Sequence, residues 1–294
     1  MTTETVLQIL GDRSLVALGG PDAERFLENL ITNDVMLLKK QDTILTALLS
    51  PQGKILFDFY LIRAGDDLWL DVAKFVASDL VKRLTMYKLR ADVQIADVSG
   101  SNCVAYSTTP YFQESGAFYF TARQFPENPY RGRCYITSAP DVVGRRLQEI
   151  GSIPPRPDYD SMRISLGVPE GGKDYLFGEL FPHEAMFDQL NGVSFTKGCY
   201  VGQEIVARMQ HRGTARSRFL MVAAAGPLPE RGTAVLAGDK PVGQMGSSVG
   251  GNGLALVRLD RLGEAYKEGK VITTGGMPIT LTKPPYATFE VPTP

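Results

Sequence analysis

Thr43-Ile44-Leu45-Thr46-Ala47-Leu48-Leu49 and Lys54-Ile55-Leu56-Phe57-Asp58-Phe59-Tyr60-Leu61-Ile62 are two strand-like runs, and Ser50-Pro51-Gln52-Gly53 between them is a turn signal. Apolar, β-branched and aromatic residues bounded by Pro and Gly predict a β-hairpin. Before it, Ser14 to Leu18 predicts a strand that Gly19-Gly20-Pro21 breaks. Pro21 suits the first position of a helix, with Asp22 and Glu24 at its positive end. Phe26, Leu27, Leu30 and Ile31 then share one helical face. After the hairpin, Leu68 to Val72 predicts a third strand, Phe75, Val76, Leu80, Leu84 and Tyr87 recur at helical spacing, and Val93 to Val98 returns as a strand. That order predicts an α+β layer with an antiparallel sheet.

Further along, a weaker β-rich stretch covers Cys103 to Thr137. Helices are expected at Asp141 to Ile150 and Asp158 to Leu166, with Pro154-Pro155-Arg156-Pro157 as a stiff connector. From Arg216 short strands alternate with turns such as Gly250-Gly251-Asn252-Gly253 and Gly275-Gly276, which predicts a small C-terminal β-barrel. These glycine clusters match neither GxxxxGK nor GxGxxG followed by a helix, so they are turns rather than a phosphate loop.

A chain of 294 residues exceeds one ordinary core, so two or three domains are expected. Hydrophobic content of 44% and charged content of 21% describe a soluble globular protein, and a net charge of −1 gives no global pull toward nucleic acid or anionic membrane. No apolar run spans a bilayer. Met1-Thr2-Thr3-Glu4-Thr5 has neither the basic and apolar regions of a secretory signal nor the Arg-rich character of a transit peptide, and a cytoplasmic location is expected. Three separated cysteines, Cys103, Cys134 and Cys199, argue against a disulfide framework. With only His183 and His211 as histidines, a protein-only zinc site is discounted.

Asn191 to Arg218 concentrates reactive side chains: Lys197, Cys199, Tyr200, Gln203, Glu204, Arg208, His211, Arg212, Arg216 and Arg218. Two glycines between Lys197 and Gly202 predict a tight loop, and Ile205, Val206 and Met209 predict a helix over Gln203 to Gln210. A thiol two residues from Lys197 and close to a helix N-terminus favours thiolate. Against this, a free cysteine is commonly a small buried hydrophobe, the reading adopted for Cys103 and Cys134. Lys197 and Glu204 also suit a surface ion pair. The basic residues Arg208 to Arg218 suit either a solvated face or a site for a carboxylated tail. An RNA-facing patch lacks the aromatic interleaving it would need.

Lys197-Gly198-Cys199-Tyr200-Val201-Gly202-Gln203-Glu204 resembles the K-G-C-Y-x-G-Q-E signature of the YgfZ family. Gly167-Val168-Pro169-Glu170-Gly171 and Asn191-Gly192-Val193-Ser194-Phe195-Thr196 are similar to its mitochondrial-type branch. Gly20-Pro21-Asp22-Ala23, Phe26-Leu27 and Thr32-Asn33-Asp34-Val35 resemble the N-terminus shared with glycine-cleavage aminomethyltransferases. The resemblance covers nearly the whole chain. It implies an aminomethyltransferase-like fold: interwoven α+β domains over residues 1–215 around a central tetrahydrofolate pocket, and a β-barrel over 216–294. It also implies a helper in assembly or repair of iron–sulfur proteins, especially 4Fe–4S enzymes, radical tRNA-modifying ones among them. Partners are then assembly proteins or client enzymes; no stable nucleic-acid or membrane partner, and a monomer, are expected. The residues assigned to function are Cys199 and Lys197 for chemistry, with Cys199 a transient cluster ligand. Asp58, Tyr200, Gln203, Glu204 and Arg208 are assigned to folate.

Aminomethyltransferases carry Gly-Gly-x-x-Asp-Asp on this hairpin, where this chain has Gly53-Lys54-Ile55-Leu56-Phe57-Asp58. Their R-L-E-x-G segment, whose Glu meets the pterin, reads Arg163-Ile164-Ser165-Leu166-Gly167. Ser165 cannot offer a carboxylate to paired N–H donors. Both departures favour an assembly factor over the alternative, a folate-dependent one-carbon (aminomethyl) transferase or demethylase. A cysteine hydrolase is excluded because His211 lies too far along its helix to serve Cys199.

Overall fold

The computed structural model describes residues 7–107, 132–149, 159–213 and 215–294. Two compact units interleave along the chain. The first comprises Met1–Leu48, Phe57–Asp158 and Thr196–Val201; the second comprises Leu49–Leu56, Tyr159–Phe195 and Gly202–Pro294. Among the described residues no helix is long and apolar enough to cross a membrane.

In chain order the first unit carries β1 (Leu7–Ile9), β2 (Arg13–Gly19), α1 (Ala23–Glu28), β3 (Thr43–Leu49), β4 (Ile55–Ala64), β5 (Asp67–Ala73), α2 (Ala77–Lys88), β6 (Gln94–Asp97), β7 (Cys103–Ser107), β8 (Gly132–Ile136) and α3 (Pro140–Glu149). The predicted hairpin is present, its tip counted with the second unit. Five strands form a sheet in the order β3-β4-β5-β2-β6. β5 pairs antiparallel with β4 and β2, setting Asp71 opposite Tyr60 on one side and Leu15 on the other. Leu15, Val16 and Leu18 are essentially solvent-free, so both faces of β2 are covered.

Asp71 is fully buried and its carboxylate is satisfied. Arg13 Nε donates to it at 2.7 Å, Arg133 Nη1 at 2.6 Å and the Tyr135 hydroxyl at 3.1 Å. One acid thereby joins β2, β5 and β8. A smaller sheet, β1-β7-β8, packs Ile9, Cys103, Ala105, Cys134 and Ile136 with Val143 of α3. Both cysteines are free and buried, as the sequence predicts. Burial pushes the Cys103 thiol up to about 11 and the Cys134 thiol up to about 12.

Several boundaries differ from expectation. α1 stops at Glu28, and the Leu30 N–H turns back to Leu27 O, so Leu30 and Ile31 lie beyond the helix. Phe75 and Val76 form a 3₁₀ turn ahead of α2, and Phe75 is exposed. The middle of the β-rich stretch and the Pro154–Pro157 connector lie outside the described residues.

The second unit holds α4 (Tyr159–Ser165), α5 (Gln203–Arg212), β9 (Ser217–Ala223), β10 (Ala234–Ala237), β11 (Lys240–Val249), β12 (Asn252–Arg258), α6 (Leu259–Lys267), β13 (Ile272–Thr274), β14 (Met277–Pro278) and β15 (Thr280–Thr282). Its sheet runs β14-β13-β10-β11-β12-β9-β15. The two edge strands are separated in sequence by Ile279 alone, so the sheet must curl until its edges nearly meet. This is the predicted C-terminal barrel. Val222, Val235, Met245, Val257 and Leu262 fill its core.

Between α4 and α5 some forty residues lack regular strands or helices. A buried ion pair organises their beginning. Arg163 Nη1 lies 2.6 Å from Asp174 Oδ2, both side chains sealed from solvent. Arg163 also donates to Asp160, Val168 O and Ser247 Oγ. Asp174 accepts the N–H groups of Glu170 and Ser247. The pair thus fixes α4 and the loop to β11. We predict that Arg163→Ala costs about 3–5 kcal/mol, since it strands a buried carboxylate. Replacing Arg163 and Asp174 together with apolar residues of similar volume should recover much of that loss, read from the urea unfolding midpoint.

Candidate functional site

The signature Lys197 to Glu204 is shared between the units: Thr196–Val201 belongs to the first and Gly202 onward to the second. In the first, Lys197 turns inward until its side chain is 1% exposed. Its ammonium has three N–H groups, and three carbonyls receive them: Glu28 O at 2.6 Å, Ile31 O at 3.0 Å and Asn33 O at 2.8 Å. Those carbonyls follow the end of α1, where backbone acceptors have no helical partner. The Glu28 carboxylate stands 3.1 Å away, and the Tyr200 ring lies 5.4 Å from the same nitrogen. Burial lowers the Lys197 pKa, and Glu28 opposes that shift. Tyr200 is buried, which pushes its hydroxyl up to about 12. Between these two inward residues, Gly198 and Cys199 face solvent.

Lys197 is therefore an anchor of the loop. Its N–H donors are engaged by the backbone around α1 rather than by the Cys199 thiol. The surface ion pair between Lys197 and Glu204 is also replaced, because Lys197 is buried beside Glu28.

In the second unit, Gly202 caps α5 in the left-handed region at φ 82°. A Cβ there would meet Ser50 O at 2.7 Å and Gly53 Cα at 3.1 Å. Gly53, at φ 78°, faces Ile205 equally closely. Two glycines thus let the hairpin tip lie against the start of α5. Gly198 has open space and makes no such demand. Gln203 is half-buried. Glu204 and Arg208 are exposed and pair with one another at 2.7 Å, one helical turn apart. Such a pair contributes about 0.3–0.5 kcal/mol.

A buried cluster that sequence reasoning missed lies in the same unit. His183 is 1% exposed; its Nε2 meets Gln210 Oε1 at 3.0 Å, and its Nδ1 has no hydrogen-bond partner among the described residues. Burial lowers its pKa, so the ring is neutral near pH 7. Arg218 donates to the His183 carbonyl and grips Asp188 with two nitrogens at 2.6 and 2.9 Å. Lys54 stands over the Phe181 ring at 3.3 Å and 3.9 Å from Glu184. The basic run Arg208 to Arg218 is accordingly no single anion site. Arg218 is internal and paired, while Arg208 is spent on Glu204.

Asp58, on β4, is buried at 5% exposure. Ser165 is exposed, and its hydroxyl donates back to Met162 O at 2.7 Å. Among the described residues no group of three or more His, Cys, Asp or Glu side chains is placed to hold a metal ion.

We predict that Lys197→Ala destabilises the protein by about 3 kcal/mol by leaving three carbonyls unsatisfied. Glu28→Gln, which keeps those acceptors, should cost less than half as much in the same thermal or urea unfolding experiment.

Residues 14–106 match the family described as the GCVT N-terminal domain, and residues 216–289 match the CAF17 C-terminal beta-barrel domain. The glycine cleavage system aminomethyltransferase T of Bartonella henselae superposes with a TM-score of 0.70, over 96% of this chain and 86% of that one. At 16% identity this establishes an aminomethyltransferase-like fold. The mitochondrial iron–sulfur cluster assembly factor IBA57 of Mus musculus is 31% identical over 86% of this chain and 77% of its own length. The human protein of that name is 30% identical with the same coverage. The Neurospora crassa homologue is 28% identical over 72% of this chain, which spans about half (52%) of that relative's length. All three are named mitochondrial, which overturns the cytoplasmic location expected from residues 1–5 and points to the mitochondrion instead. The YgfZ label is likewise narrowed to a related branch: the chain belongs to the IBA57 family of iron–sulfur cluster assembly factors.

Proposed function

We propose that this chain assists the assembly of iron–sulfur proteins by presenting the Cys199 thiol to a cluster or to a cysteine of a partner. One observation carries the reading: Cys199 is solvent-exposed between Lys197 and Tyr200, both held inward. Thiolate is the preferred cluster ligand, and one cysteine supplies one ligand. The other ligands must come from a partner protein, a second subunit or a small thiol, so the cluster is cargo in transit. The names of the mammalian relatives support the same role.

The thiols of the folded protein are expected to separate by reactivity. Iodoacetamide at neutral pH should alkylate Cys199, while Cys103 and Cys134 stay protected by burial and by thiol pKa values of about 11 and about 12. Cys199→Ser, nearly isosteric and solvent-facing, should fold normally. In cells lacking the native gene, at matched protein level, it should fail to restore 4Fe–4S enzyme activity. Full rescue by the serine variant would end the thiol reading.

Tetrahydrofolate is the ligand implied by the fold family, and the residues assigned to it divide. Asp58 is a buried carboxylate of the kind that accepts the paired N–H donors of a pterin. Glu204 and Arg208 neutralise each other in solvent, and the Ser165 hydroxyl is bound to its own helix. Phe57 beside Asp58 and the engaged Ser165 hydroxyl weigh against the transferase alternative. We propose Asp58 as the pterin acceptor. Calorimetry with tetrahydrofolate should show binding to the intact protein and at least a tenfold loss in Asp58→Asn, about 1.4 kcal/mol. No heat at millimolar ligand with the wild-type chain would remove folate from the function.

A further inference from the structure

At the C-terminus of α2 the first unit departs from ordinary surface chemistry. Leu89 ends the helix at φ 47°, ψ −105°, a positive-φ conformation that favours glycine and strains a branched side chain. Leu89 is 88% exposed, so its side chain gains little from packing at this position. Met86, one turn earlier, is 69% exposed. The turn after Leu89 is fixed by hydrogen bonds, Ala91 N–H to Lys88 O at 2.8 Å and Asp92 N–H to Asp22 at 2.9 Å, which hold the backbone and leave the leucine side chain presented to solvent.

Beside Leu89 lies a groove of about 320 Å³. Phe26, Leu30 and Tyr87 give it apolar walls. Arg25, Lys88 and Arg90 stand around it, with Asp22 as the opposing carboxylate. Asp22 is already engaged: Oδ1 accepts Arg25 at 3.2 Å and Oδ2 accepts the Asp92 N–H at 2.9 Å. Lys88 and Arg90 have no ion-pair partner among the described residues. The groove therefore combines a net positive rim with an apolar interior and an exposed leucine at its lip.

From this the geometry points to a docking site for an acidic segment of a partner protein that carries a large apolar side chain. The apolar group would enter between Phe26, Tyr87 and Leu89, and flanking carboxylates would meet Lys88 and Arg90. Charge complementarity selects this occupant over a neutral or basic one. The inference stands apart from the Cys199 reading, since it uses no residue of the signature loop.

The test is fluorescence anisotropy of the full-length protein with a short labelled peptide in which glutamates flank a leucine–phenylalanine pair. Wild type should bind it, and bind the matching lysine-flanked peptide at least tenfold more weakly. Leu89→Gly should weaken binding about tenfold while leaving the melting temperature unchanged or higher, because glycine relieves the backbone strain. A Lys88→Glu, Arg90→Glu double variant should abolish binding. The proposal is overturned if no binding is seen at millimolar peptide, if the lysine peptide binds equally, or if neither variant changes affinity. It is equally overturned if Leu89→Gly instead abolishes self-association or binding to phosphatidylserine vesicles, since either would give the groove a different occupant.

Discussion

A single buried ammonium holds the loop from Lys197 to Tyr200 in its form. Lys197 brings three donors to three carbonyls left over where α1 ends, and Glu28 supplies the counter-charge. Desolvating a lysine is costly, and the shift of its pKa below the usual value records that cost. Complete hydrogen bonding is what makes the position tolerable. Once Lys197 and Tyr200 are committed inward, the short backbone between them leaves Gly198 and Cys199 outside. Exposure of the thiol is thus a consequence of where its neighbours are held.

The same device recurs at three other places among the described residues. In the first unit Asp71 binds Arg13, Arg133 and Tyr135, so β2, β5 and β8 share one acid. In the second unit Asp174 and Arg163 join α4, an irregular loop and β11. Arg218 does so for Asp188 and the His183 carbonyl. A long stretch without regular structure leaves many backbone polar groups to satisfy. Buried charges with several hydrogen-bonding arms meet that need better than apolar side chains, at the expense of intolerance to losing one partner.

Much of the regular structure was legible because it rests on local patterns. The hairpin at 43–62, the helix after Gly202 and the barrel turns at Gly250 and Gly275 each carry their signal within a few residues. The buried state of Cys103 and Cys134 followed from their strands. The anchoring contacts of Lys197 were not legible because the carbonyls that receive them lie more than 160 positions away. The His183–Gln210 and Arg218–Asp188 contacts were invisible for a related reason: they tie a loop without periodicity to a helix and a strand. Asn33 and Glu28, which complete the Lys197 anchor, had no local signal marking them for that role. Location, read from composition near the start, had no physical link to the fold.

An aminomethyltransferase-like scaffold does not oblige the chain to perform aminomethyl transfer, because function resides in the side chains placed on a fold. Here Phe57 takes the place of one hairpin carboxylate, and Ser165 closes on its own helix. The loop between Lys197 and Tyr200, in contrast, presents the exposed Cys199 thiol to solvent. A site meant to retain a cluster gathers several cysteines, since each thiolate adds to its stability. A site meant to pass a cluster onward benefits from the opposite design: one ligand, accessible from solvent, held in position by neighbours that take no part in binding. Under the proposed function, Lys197 and Tyr200 would supply that hold without competing for the cargo, and the loop would offer a fixed point of attachment while the remaining coordination comes from whatever delivers or receives the cluster.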